Sequence, residues 1–137
     1  MAFRLYPGVA DDFEANIRIL SLQEGGRRSA PRNGIRWDFA YAEVAGTPEL
    51  FMIWPDFRHA SGDSWAADLL LPVGVPLLAG LTVVNEVLRT GLHRERIRPG
   101  VRFHCHEGPK VVAVGEVTRV TGLHLDRPSA RGGGSRP

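Results

Sequence analysis

The sequence predicts an all-β fold of about six strands, a small closed barrel or a sandwich, with an irregular insertion at about residues 55–68. Three observations predict it. Sixteen glycines and ten prolines among 137 residues are too many for a helical bundle and suit short strands joined by turns. Several short runs alternate apolar and polar residues with period two, the mark of a strand with one face buried and one wet. Turn-forming residues separate those runs at close intervals. The length is that of one domain, enough to bury a core without staples. Residues 1–12 read as a leader, 13–121 as the barrel and 122–137, with Gly132-Gly133-Gly134, as a disordered tail.

The strands follow in order. Phe13, Ala15, Ile17 and Ile19 alternate with Glu14, Asn16 and Arg18, so Phe13 to Leu20 is the first. A polar loop from Gln23 to Gly34 contains Gly25-Gly26, which give positive φ at little cost, and ends in an Asn-Gly turn. Ile35 to Val44 is the second strand, with Trp37, Phe39 and Tyr41 on one face. Gly46-Thr47-Pro48 turns the chain into a third, Leu50 to Trp54. Pro55 to Asp68 is rich in turn formers and reads as the insertion, with Trp65 folding back on the barrel. Leu81 to Arg89 reads as a long strand. Helical spacing of Leu77, Leu78, Leu81, Val84 and Leu88 competes, but nearby prolines, Gly80 and the β-branched Thr82-Val83-Val84 favour strand. Thr90 to Glu95 has room for one helical turn. Val101, Phe103 and Cys105 then alternate with Arg102, His104 and His106. Gly108-Pro109 makes a hairpin into the last strand, Lys110 to Val120.

Composition excludes several classes. Cys105 is the only cysteine, so there is no internal disulfide and no multi-thiolate zinc site. The N-terminus lacks the apolar stretch of a signal peptide, and the apolar run from Leu69 to Leu88 is broken by prolines and glycines, so no membrane segment is expected and the setting reads as cytoplasmic. Seventeen basic residues include one lysine, Lys110; the arginine bias fits a GC-rich genome. Charge is uneven. Four arginines and two acids lie between Glu24 and Asp38, against five acids and one arginine between Glu43 and Asp68. Five arginines, two acids and three histidines lie between Arg89 and Glu107. A solvated surface of mixed sign is the preferred reading, and a basic face for an anionic partner is the alternative.

Catalytic and metal chemistry finds little support. On a strand His104 and His106 share a face while Cys105 takes the other, so the three converge on one metal only through a bulge. Two surface histidines and a buried thiol acting as a small hydrophobe is the preferred reading. The alternative pairs the histidines on a metal with His93, His59 or an acid. A reactive Cys105 would need exposure that its company with Val101 and Phe103 denies. Asp56, Asp63 and Asp68 are spaced too loosely for a calcium loop, and nothing brings Glu43, Glu49 or Asp56 together as a catalytic pair. Trp37, Phe39 and Tyr41 read as core. Trp54 and Trp65 flank the insertion and could form an aromatic contact patch.

Two stretches resemble a known family. The first is Phe13-Glu14-Ala15-Asn16-Ile17-Arg18-Ile19-Leu20-Ser21 with Glu24-Gly25-Gly26-Arg27, Pro31, Gly34, Arg36 and Phe39. The second is Val101-Arg102-Phe103, Glu107-Gly108, Val112, Gly115, Val117 and Val120, and Leu71-Pro72-Val73-Gly74 adds a turn. In order, they resemble the C-terminal (third) β-barrel domain of elongation factor Tu, here as a stand-alone small protein. The resemblance implies a six-stranded antiparallel barrel. In that family the barrel packs on the nucleotide-binding domain and touches the T-stem of aminoacyl-tRNA; Arg27 matches a loop arginine and Lys110 a basic hairpin residue. Trp37 and Asp38 depart from the family's Pro-Gln, and Pro109 replaces a hairpin glycine. No phosphate-binding Gly-x-x-x-x-Gly-Lys-Ser/Thr loop is present, which excludes GTP hydrolysis by this chain.

Together these readings predict a non-catalytic binding module, translation-related and bacterial, with no cofactor and no bound nucleotide. A protein partner is the first expectation. An RNA- or tRNA-binding accessory protein is the alternative, and a metal protein or enzyme the third. The expected partner-binding residues are Arg27, Arg28, Arg36 and Lys110, with Trp54 and Trp65.

Overall fold

Phe13, Ala15, Ile17 and Ile19 occupy alternate positions of one strand, and all four are buried. Repeated around the molecule, this alternation closes a sheet on itself. A computed structural model describes residues 3–127. Its strands are β1 (Phe13–Ile19), β2 (Trp37–Tyr41), β3 (Phe51–Arg58), β4 (Pro76–Val83), β5 (Arg102–Glu107) and β6 (Lys110–Val120). They form a closed antiparallel barrel in the order β1-β4-β3-β2-β5-β6, with β6 pairing back to β1. Each strand pairs with two neighbours, although β2 lies beside only the first part of β3, up to Ile53. Two register shifts help to bend the wall. Thr118 is the extra residue opposite Glu14/Ala15, and Val112 the extra one opposite Cys105/His106.

The core is aromatic at its centre. Phe39 stacks on Phe103 at 4.7 Å, and Phe13 meets both rings edge-on. Gly115 lies opposite Phe103, and a Cβ there would stand 2.3 Å from the ring, so the glycine makes room for the core's central side chain.

The barrel has two ends. At one, the helical segment 86–96 acts as a cover, running from Glu86–Leu88 through π-type turns at Arg89–His93 to Arg94–Arg96. His93 enters the core beneath it and shares a 2.6 Å hydrogen bond with the Tyr41 hydroxyl. The other end carries the 20–36 loop, the β5–β6 hairpin and the 59–75 loop.

Four expectations change. The long strand Leu81 to Arg89 stops at Val83. Asn85 then caps a helical turn, its side chain accepting the Leu88 N–H at 3.0 Å, and Arg89 is drawn inside by Asp12 at 2.8 Å. Pro55 to Arg58, expected in the insertion, continue β3. Proline is tolerated because β2 pairs with β3 only as far as Ile53, so Pro55 has a strand neighbour only in β4. The leader is bonded to the barrel. The Asp12 N–H donates to the Leu81 carbonyl, and its carboxylate accepts from the Val83 N–H and Arg89. The first residues of the expected tail are also packed, with Leu123 fully buried; 128–137, including the triple glycine, lie outside the described residues.

The leader also completes a polar cluster on the outer face of β3. Asp11 and Asp56 both pair with Arg58, and Ser64 donates to Asp56 at 2.8 Å. Asn33 donates to Asp56 and to the Phe57 and Trp65 carbonyls, while accepting the Phe57 N–H at 2.9 Å. Gly80 lies beneath the Asp11–Arg58 pair, where a Cβ would collide with both side chains.

Candidate functional site

The loop end is built from local backbone rules. Ser21 and Glu24 form a reciprocal cap. The Ser21 N–H donates to the Glu24 carboxylate at 3.0 Å, and the Glu24 N–H to the Ser21 hydroxyl at 3.3 Å. The Ser21 backbone and then Arg18, 2.9 Å away, hold the Glu24 carboxyl below its usual range. Gly25 takes φ +91°, open to glycine without strain, and Gly26 has no room for a Cβ, which would fall 2.3 Å from the Leu20 carbonyl oxygen. This geometry delivers Arg27 to the β5–β6 hairpin. Its Nε lies 2.8 Å from Glu107, which also accepts the Trp37 indole N–H at 2.8 Å. From the other side Lys110 donates to the Gly26 carbonyl at 3.2 Å. The two motifs that carry the family resemblance therefore meet in space.

That contact sorts the expected partner-binding residues. Arg27 and Lys110 tie loop to hairpin. Arg28 is exposed and has no polar partner among the described residues. Arg36 lies over the Trp54 ring at 4.5 Å, and Tyr6 packs against the same indole at 6.2 Å. Trp65 stacks on His59 at 4.1 Å with its indole N–H buried and unpartnered. The two tryptophans thus have separate neighbours. Arg32, not singled out in the sequence, belongs with the basic group: its guanidinium binds the Asp68 carbonyl and its backbone bridges Leu70. The signal was present in the count of four arginines between Glu24 and Asp38.

Exposed apolar side chains adjoin this group. Leu22, Leu69, Leu70, Val73 and Val75 are all exposed. Leu71 N–H donates to Pro31 O at 2.8 Å and Gly74 N–H to Ile19 O at 2.9 Å, which holds the 69–75 loop against the basic loop and the end of β1.

The histidine strand differs from expectation. His104 is half-buried, but His106 is buried, with both ring nitrogens unpartnered. The alternation fails there for a tertiary reason. The register shift at Cys105/His106 and the loop tied down by Arg27 and Lys110 make this end of β5 a covered position. The two rings lie 6.4 Å apart, and partial burial, then His106, holds the His104 imidazole below its ordinary pKa. Burial pushes the Cys105 thiol up to about 12, so it stays protonated and inert. Among the described residues no group of three or more His, Cys, Asp or Glu side chains converges to hold a metal ion. A surface hollow of about 490 Å³ on the outer face of β1, β6 and β5 is lined by Arg18, Arg102 and Glu43, which are already engaged in ion pairs, and by Asn16, His104 and Glu116.

Fold and surface together define a closed six-stranded β-barrel with a cationic, partly apolar rim at one end. The chain matches no protein-family model, and no curated protein matches its sequence. No helix among the described residues is long and apolar enough to cross a membrane.

Proposed function

We propose that this protein is a non-catalytic binding module of the elongation factor Tu C-terminal barrel type, and that it docks a protein partner on its loop end. One observation carries the reading. Among the described residues Arg28, Arg32, Arg36 and Lys110 gather at this end without a carboxylate partner, whereas Arg18, Arg27, Arg58, Arg89, Arg94, Arg102, Arg119 and Arg127 are ion-paired; Arg4, Arg96 and Arg98 also lack a carboxylate, but Arg4 binds the Gly62 carbonyl, Arg96 lies over the Tyr41 ring and Arg98 binds the Glu95 carbonyl. Such cations, held on a rigid rim, are available for an anionic surface.

A protein fits this rim better than a nucleic acid. Glu24 and Asp68 are exposed on the same end, so a continuous polyanion would press phosphates against them. A protein surface can place discrete carboxylates between them. The meeting of the Glu24–Arg27 and Glu107–Lys110 motifs supports the family reading, which makes the setting cytoplasmic, bacterial and related to translation, by imitation of the factor's barrel.

The test is a pull-down from the native lysate, with and without nuclease, using the parent and the Arg28→Ala/Arg32→Ala/Lys110→Ala variant. Capture of a protein that resists nuclease and is lost with the variant supports the reading. Capture abolished by nuclease would replace it with RNA binding, and capture unchanged in the variant would move the site away from the rim.

A further inference from the structure

We infer that the loop end receives an acidic amphipathic helix, whose apolar stripe covers the 69–75 loop while its carboxylates meet Arg28 and Arg32. This rests on the protein-docking reading above and names the kind of segment docked. Leu22, Leu69, Leu70, Val73 and Val75 expose large aliphatic side chains around one tied pair of loops. A contiguous apolar surface rimmed by polar residues marks a contact site. Arg32 stands on the flank of that surface, because its backbone bridges Leu70 and its guanidinium binds the Asp68 carbonyl, and Arg28 is exposed in the same loop. The complementary partner therefore has apolar side chains in the middle and carboxylates at the margin.

The fold selects a helix. An extended segment binds by adding to a sheet edge; this barrel is closed by β6 pairing with both β1 and β5, and the part of β3 that β2 leaves free is covered by Asn33, which accepts the Phe57 N–H, and by the Trp65 N–H, which donates to the Phe57 carbonyl. Polyproline segments dock on aromatic grooves, whereas Leu22 and the exposed large side chains of the 69–75 loop are aliphatic, and the exposed aromatic Phe3 is bonded to the neighbouring 63–64 stretch. A helix satisfies its own backbone and presents a stripe of the required kind. An anionic bilayer would press like charge on Glu24 and Asp68.

Two labelled peptides of about five helical turns test this by fluorescence anisotropy. One carries leucine at i, i+3, i+4 and i+7, glutamate only at the positions flanking that stripe, and alanine and glutamine elsewhere; the other has serine for leucine. The first should bind the full chain, and the serine peptide should bind roughly tenfold or more weakly. Leu70→Ser/Val73→Ser should weaken the first by a similar factor with an unchanged melting curve, and Arg28→Ala/Arg32→Ala should weaken both. Equal binding of the two peptides, with loss only in the arginine variant, would overturn the helix stripe and leave protein docking on the rim standing. Binding of neither peptide overturns this inference, and protein docking falls with it only if lysate capture also survives the Arg28/Arg32/Lys110 variant. Tighter binding to polyuridylate or phosphatidylserine vesicles, or a dimer dispersed by Leu70→Ser, would also overturn it.

Discussion

Arg27 and Glu107 stand eighty residues apart in the chain and 2.8 Å apart in the fold, and the Glu107 carboxylate that holds the guanidinium also accepts the Trp37 indole N–H. One carboxylate thus fixes a loop, a hairpin and the first residue of β2. The three contacts are not equal. Arg27 is partly exposed, so its loss should cost about 0–1 kcal/mol. Glu107→Ala also orphans the N–H of a buried tryptophan and should cost about 1–3 kcal/mol. Urea denaturation of both variants checks the order; equal costs would mean that the Trp37 bond contributes nothing.

Gly115 should tolerate no side chain while Phe103 is present. Gly115→Ala forces a Cβ against the ring and should destabilise the barrel by about 1–3 kcal/mol. Phe103→Leu made in the same chain should recover part of that loss, although it is destabilising alone. The double-mutant cycle measures the coupling, and strict additivity would show that the two side chains do not compete for one space.

The Asp12–Arg89 pair is buried on both sides, and Arg127 binds the same carboxylate. Breaking such a pair leaves charge without compensation, so Asp12→Asn should cost about 3–5 kcal/mol. Arg102→Ala, which removes an exposed pair with Glu43, should leave the thermal midpoint close to that of the parent.

His93 gives the fold an acid sensitivity. Burial first, then Arg96, depresses its pKa to about 4, with Asp12 pulling weakly the other way. Between the ordinary 6.5 and about 4 the unfolded chain binds a proton that the folded one refuses. Stability therefore falls as pH drops through that window, by at most about 1.4 kcal/mol per pH unit, and this contribution levels off below it. His93→Gln keeps an acceptor near the Tyr41 hydroxyl and removes the titration. Its unfolding free energy should depend less on pH between 6.5 and 4 than the parent's, and identical slopes would refute the assignment.

Cys105 should react slowly with a thiol reagent in the native protein and quickly in urea, because its thiol is buried and its pKa is raised to about 12. Fast native labelling would show that β5 opens locally.

Period-two alternation and turn chemistry are local properties, and they were legible. Phe13 to Ile19 and Lys110 to Val120 are strands because their own side chains alternate, and Gly25-Gly26 turns because glycine alone fits there. From these the sequence determined an all-β chain of about six strands, barrel or sandwich, and the residues of the basic loop; closure itself is the pairing of β6 with β1, a tertiary contact. Distant contacts decided the rest. Arg89 leaves the strand pattern because Asp12 offers a buried partner, Pro55 stays in a strand because β2 has ended beside it, and His106 is covered because a register shift and a tied loop override alternation. Which arginines are engaged and which remain available was likewise invisible in the sequence, because a charge's partner is set by the fold that brings Glu107 to Arg27 and brings no carboxylate to Arg28.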